Sequence, residues 1–151
     1  SVDPTIKNYH WMDLVTGMLD AYERGHQTAI LVDESNNISE GPGFNIFSVD
    51  KSGISTPDHG VLEGITRKTV INLAKELGLE VNTKPISIEM LKSSDELFAT
   101  STAGGVMPIT KVSGEKIGLG KVGDNTRKIH KLYWEKHSDP DWTLSVEDLL
   151  K

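Results

Sequence analysis

There is no cysteine in this chain, which excludes disulfides, thiol nucleophiles and thiolate metal sites and fits a reducing, cytoplasmic setting. Basic residues are outnumbered, 16 Lys and Arg against 22 Asp and Glu. The resulting net charge of −6 argues against a general nucleic-acid binder, whose surface would be basic. Local basic patches remain, as in Arg127-Lys128-Ile129-His130-Lys131. No apolar run approaches the ~20 residues of a membrane-spanning helix. The start, Ser1-Val2-Asp3-Pro4, has no basic end and no apolar stretch, so it does not read as a signal peptide. It also lacks a Met, and it reads as the start of a fragment, a processed product or a designed polypeptide. Internal repeats, low-complexity tracts and linkers are missing as well, which leaves one domain over 1–151.

What is present has the make-up of a globular α/β protein. At 36% hydrophobic and 25% charged residues, 151 residues are enough to bury roughly two-thirds of the unfolded surface. Trp11, Leu14, Val15, Met18, Leu19 and Tyr22 recur at helical steps from about His10 to Arg24, and Gly25 stops them. Thr28 to Asp33 reads as a buried strand. Phe44 to Val49 reads as a second strand, turned at Asp50-Lys51-Ser52-Gly53 into Ile54-Ser55-Thr56. Ile65 to Leu77 is helical with Gly78 placed to end it, and Leu79 to Thr83 is strand-like. A short helix at Ile88 to Lys92 and a strand at Glu96 to Thr100 follow. Val106 to Val112 contains Pro108, which cannot donate to a ladder and marks an edge or bulged strand. A Gly- and Lys-rich loop, Gly114 to Gly123, precedes a helix carrying Ile129, Leu132, Tyr133 and Trp134, and the tail from Asp141 is amphipathic. Such irregular alternation, with hairpins among the helices, predicts a mixed α/β fold.

Four segments could carry chemistry. Lys7 is an amine in Asp3-Pro4-Thr5-Ile6-Lys7-Asn8-Tyr9, an extended entry to the first helix. Alone it reads as a solvated charge; desolvated, it can attack an aldehyde. Glu40 precedes Gly41-Pro42-Gly43, where the glycines let the backbone pass close to a ligand. It is either an exposed turn carboxylate or the partner that keeps a pyridine nitrogen protonated. Gly64-Ile65-Thr66 opens a helix, with Thr66 as a cap or with the free N–H groups facing a phosphate. Ser101-Thr102-Ala103-Gly104-Gly105 sets further hydroxyls beside a turn. The five histidines show no metal-ligand spacing, and Gly118-Leu119-Gly120-Lys121-Val122-Gly123 lacks the strand-then-helix setting of a dinucleotide loop.

Glu40-x-x-x-x-Asn45, Thr56 and Leu62-x-Gly64-Ile65-x-Arg67, following Lys7 and preceding Thr102, resemble the signature of the fold-type IV pyridoxal-phosphate enzymes. These include branched-chain and D-amino-acid aminotransferases, aminodeoxychorismate lyases and (R)-selective amine transaminases. The resemblance runs from Asp3 to about His137 and departs at Pro42, where the family has a small residue. It implies their larger C-terminal domain, a mixed sheet or pseudo-barrel flanked by helices, with pyridoxal 5′-phosphate as cofactor. Lys7 would be the Schiff-base lysine and proton shuttle, and Glu40 the partner of the pyridine nitrogen. Leu62 would pack on the ring, while Ile65, Thr66 and Thr102, with Ser101, would hold the phosphate. Thr102 to Ile109 and Trp11-x-Asp13-Leu14 look most like the (R)-selective subgroup. The reaction implied moves an amino group from an amine or amino acid to a keto acid in a homodimer. The family's smaller N-terminal domain, which adds an arginine to the phosphate, is absent from this chain; another chain would supply it, or the polypeptide is a non-catalytic piece.

Overall fold

Two apolar faces on one sheet organise the structure, a computed structural model that describes residues 3, 5–8 and 11–150. The sheet contains β1 (Asn45–Asp50), β2 (Gly53–Thr56), β3 (Val81–Thr83), β4 (Glu96–Ser101) and β5 (Gly105–Ile109), in the order β3-β2-β1-β4-β5. β1 pairs antiparallel with both β2 and β4, β4 pairs antiparallel with β5, and β2 runs parallel to β3. The parallel pair needs a crossover, which α2 (Ile65–Glu76) supplies. The remaining elements are α1 (Met12–Glu23), α3 (Ile88–Lys92), the small hairpin of β6 (Lys111–Val112) and β7 (Glu115–Lys116), α4 (Asp124–Glu135), a 3-10 turn at Lys136–Ser138 and α5 (Val146–Leu149).

Because strand side chains alternate, β1 and β4 feed both faces. Phe47 and Phe98, register partners stacked at 4.9 Å, join Val49, Ile54 and Val106 under Val70, Leu73 and Ala74 of α2 and Ile129 and Tyr133 of α4. On the other face Ile46, Leu97 and Ala99 pack against Ile38, Ile86, Leu91 and Ile117. Strands covered on both sides carry apolar residues at adjacent positions, as Ile46-Phe47 does in β1 and Leu97-Phe98-Ala99 in β4.

Several sequence expectations hold in detail. The first helix spans Met12–Glu23; His10 lies outside the described residues. Gly78 takes φ +72° just after α2, and Pro108 stands on β5, the edge strand. The segment expected as one strand from Val106 to Val112 breaks at Thr110, which accepts from the Ile117 N–H at 3.0 Å, so the chain turns into the β6–β7 hairpin instead. Ser113 and Gly114, both at positive φ, make the turn.

The expected buried strand Thr28 to Asp33 is not there. Only one bridge forms, Val32 with Ile38, flanked by the bonds Leu31 N–H to Glu40 O and Ser39 N–H to Leu31 O, both 2.9 Å. Val32 is 44% exposed. The apolar run has α1 as a cover rather than a second strand: a Cβ on Gly17 would stand 2.7 Å from Leu31 Cδ2. This short ladder is what delivers Glu40 to its place.

Candidate active site

Strands β1 and β4 run antiparallel with Asn45 opposite Thr100, so the start of one and the end of the other share an edge of the sheet. The N-terminus of α2 meets the same edge. A cleft of about 870 Å³ opens there, and Lys7, Glu40, Leu62, Ile65, Thr66, Ser101 and Thr102 all line it. Every site residue named from the sequence is therefore brought together, across 95 positions of chain.

Glu40 is half-buried and inward-facing, not a bland turn residue. Its Oε2 accepts from the Leu62 N–H at 3.0 Å and from Asn45 Nδ2 at 3.2 Å. Burial raises the carboxyl above its ordinary value; the Leu62 hydrogen bond and the Lys7 charge offset that only in part. A carboxylate held this way is short of positive charge, and a cation opposite it would be welcome. Lys7 itself is exposed, after a turn in which Asp3 Oδ1 accepts from both the N–H (2.9 Å) and the hydroxyl (2.7 Å) of Thr5.

Asn45 had no role of its own in the sequence reading. It is 5% exposed and its Nδ2 also donates to Leu62 O at 2.9 Å, so one amide ties Glu40 to the loop leading into α2. This explains Gly64: a Cβ there would lie 2.5 Å from Asn45 Oδ1. It also corrects the expectation for Thr66. The cap position is Gly64, which has no side chain to cap with, and Thr66 sits inside the helix. The first bond into the helix is Lys68 N–H to Gly64 O at 3.0 Å, and the N–H groups of Ile65 and Thr66 have no protein acceptor. Such a pair, at the positive end of the helix dipole, suits an anion.

The hydroxyls around that pair differ. Thr102 is exposed in the cleft, whereas Ser101 Oγ already accepts from the Gly104 N–H at 2.9 Å. Thr100, two residues before Thr102, is 2% exposed and its Oγ1 has no partner. Arg67 does not line the cleft; it gives hydrogen bonds to Thr56 Oγ1 at 3.4 Å and Pro57 O at 2.8 Å. At the rim His59 spans two loops, Nδ1 to Asp58 Oδ1 at 2.6 Å and Nε2 to Asp33 Oδ2 at 3.4 Å. Neither His59 nor Thr100 was visible as a site residue in the sequence; their positions depend on loops meeting in space. By contrast the N-terminus of α4, below the Gly118 loop, is filled: Glu96 accepts from the N–H groups of Asn125 (3.1 Å) and Thr126 (2.8 Å). No phosphate has room there.

The donor set therefore fits pyridoxal phosphate: an amine, a carboxylate some way from it, an apolar Leu62, and a helix end with free N–H groups beside unpartnered hydroxyls. Comparison with known proteins agrees. The family model for amino-transferase class IV matches residues 1–112. The chain belongs to this family. Among similar class IV proteins, a putative branched-chain-amino-acid aminotransferase of Methanocaldococcus jannaschii is 34% identical over 149 residues, 97% of this chain and 51% of that one. The branched-chain-amino-acid aminotransferase of Escherichia coli is 38% identical over 117 residues, 76% of this chain and 38% of its own. Among solved structures, the holo-form of the branched-chain enzyme from Thermobaculum terrenum superposes with a TM-score of 0.88 at 31% identity, over 93% of this chain and 48% of that one. The chain thus spans about half, or less, of the relatives it matches. Among the described residues, no helix is long and apolar enough to cross a membrane.

Proposed function

We propose that this chain is the cofactor-carrying half of a pyridoxal-phosphate-dependent transaminase. The observation that carries the reading is the convergence of Lys7, Glu40 and the open α2 N-terminus on one cleft. Bound there, the cofactor supplies a carbonyl that condenses with amines and a protonated ring that withdraws electrons. Lys7 Nζ would be the amine that holds the cofactor, and the same nitrogen is the group in the cleft able to take and return a proton. The Glu40 carboxylate keeps the ring nitrogen protonated, and the N–H groups of Ile65 and Thr66, with the Thr102 hydroxyl, hold the phosphate. Leu62 gives the ring an apolar floor.

Amino acids and keto acids are the proposed substrates, with branched-chain side chains first because the relatives above carry that name. An (R)-amine donor is the second choice, favoured by Trp11 and Leu14, which line the cleft in the pattern that resembles the (R)-selective subgroup. A homodimer in the cytoplasm completes the reading.

The test is chemical. The protein is incubated with pyridoxal phosphate, reduced with borohydride and digested, and the pyridoxyl mark is expected on the peptide containing Lys7. A mark on Lys68, Lys75 or Lys111 instead, or no mark at all, overturns the assignment. Lys7→Ala is expected to lose the mark while melting as the parent does, since an exposed lysine contributes little to packing.

A further inference from the structure

We propose that Thr100 is a further phosphate-binding residue of this cleft, its hydroxyl donating to an oxyanion seated at the N-terminus of α2. The inference rests on the cofactor reading above and adds a group that the sequence pattern did not name. Buried hydroxyls in native proteins almost always have a hydrogen-bond partner, so an orphan calls for an explanation. Two occur among the described residues, Ser55 Oγ and Thr100 Oγ1. Ser55 lies in the second strand, away from the cleft, whereas Thr100 lines it beside Thr102 and Thr66. The nearest side-chain groups are turned to other partners. Asn45, directly across the β1–β4 pair, gives its amide protons to Glu40 and to Leu62 O. Ser101 is turned to the Gly104 N–H. The N–H groups of Ile65 and Thr66 are donors that share the same lack of an acceptor.

Two unpartnered backbone donors at the cleft, with a third hydroxyl in its lining one rotamer step away, define an acceptor-rich ligand, and a phosphate dianion is one. A single χ1 step of about 120° exchanges the hydroxyl and methyl of a threonine, so the strand need not move to present Oγ1 to the cleft. A hydrogen bond to a charged oxygen is about twice as strong as one between neutral groups. It would therefore more than offset the hydroxyl's burial, and only when the anion is bound.

That conditional gain sets the test. Thr100→Val keeps the shape and removes the hydroxyl. Without ligand it is expected to melt at or above the parent's temperature, because an orphan group has been removed. Titrated with pyridoxal phosphate and followed by absorbance, it is expected to bind about tenfold more weakly. With pyridoxal, which lacks the phosphate, its affinity is expected to match the parent's. Thr100→Ser, which retains the hydroxyl, is expected to stay within about twofold for both compounds. A ligand-free Thr100→Val that is clearly less stable shows a hydroxyl already satisfied, and overturns the proposal. Equal binding of pyridoxal phosphate by Thr100→Val and the parent overturns it too, leaving the cofactor reading intact. A parent that takes up neither compound overturns both.

Discussion

Asn45 shows how much of this site depends on one amide. It holds Glu40 from one side and the Leu62 carbonyl from the other, and it fills the volume that a side chain at position 64 would need. Gly64→Ala is expected to push that amide aside and to destabilise the protein by about 1–3 kcal/mol, the usual range for overpacking. Chemical denaturation measures it; a wild-type midpoint would mean that the amide yields freely. Glu40→Gln is expected to behave oppositely. Since burial raises the folded-state pKa of Glu40 above 4.5, the native state binds its proton more tightly than the unfolded chain does. Its contribution to stability is then greatest at low pH and declines as pH rises from 4.5 through the raised value. The ligand-free Gln variant is expected to lose that decline and to melt no lower than the parent at pH 7. A clear loss of stability there would show that the carboxylate is already well paired without a cofactor.

At the scale of elements, the rim clasp makes a separate prediction. His59 faces Asp58 and Asp33, and hydrogen bonds to Asp58 first, then Asp33, raise its pKa above the ordinary 6.5. Asp33 lies below 3.8, chiefly through the N–H of Asn37. The His59 contribution is complete below pH 6.5 and disappears as pH rises through its raised value; that of Asp33 is complete above pH 3.8 and disappears on acidification. The clasp should therefore be at full strength between these limits. The difference in melting temperature between the parent and His59→Gln is expected to be constant there and to shrink above pH 6.5. A difference that is constant up to pH 9 would refute it.

Elements whose signals are local were readable: the period of α2 with Gly78 behind it, the Asp50–Gly53 turn, and Pro108 at an edge. Thr28 to Asp33 was misread because a run of apolar residues looks alike whether a neighbouring strand or a helix covers it. The site was legible as to which residues meet, through the order of Lys7, Glu40, Gly64 and Thr102. It was not legible as to how they are held. Asn45 reaches a carbonyl 17 residues away, and Thr66 yields the cap to a glycine for reasons that lie in another strand. Whether the Thr100 hydroxyl has a partner depends on everything around it.

For the molecule as a whole, α1 is one of two stretches that leave several large apolar side chains uncovered, the other being the tail with Leu144, Val146, Leu149 and Leu150. Met12, Val15, Leu19 and Tyr22, spaced to fall on one side of the helix, are 76%, 43%, 57% and 52% exposed. Patches of this kind mark association surfaces. The homodimer proposed above predicts a mass near twice that of the chain by sedimentation at micromolar concentration. Leu19→Glu is expected to lower that mass while leaving monomer stability within about 0.5 kcal/mol. An unchanged mass would move the association to another face.

The two walls of the cleft differ in build. One is made of strand and helix ends: Asn45, Thr100, Ser101 and the first turn of α2. The other, Ile6 to Asn8 and Leu31 to Glu40, belongs to no strand or helix; two isolated bridges, Val32 with Ile38 and Asn37 with Ser87, and backbone bonds such as Ile38 N–H to Ile86 O tie its second stretch down. A guest settling between them touches an anvil on one side and a curtain on the other. The curtain loses most of the freedom, so uptake carries an entropic toll that grows with temperature. Affinity should therefore fall on warming faster than the contacts alone would dictate, and the loss should be traceable to the exposed stretch that bears Lys7.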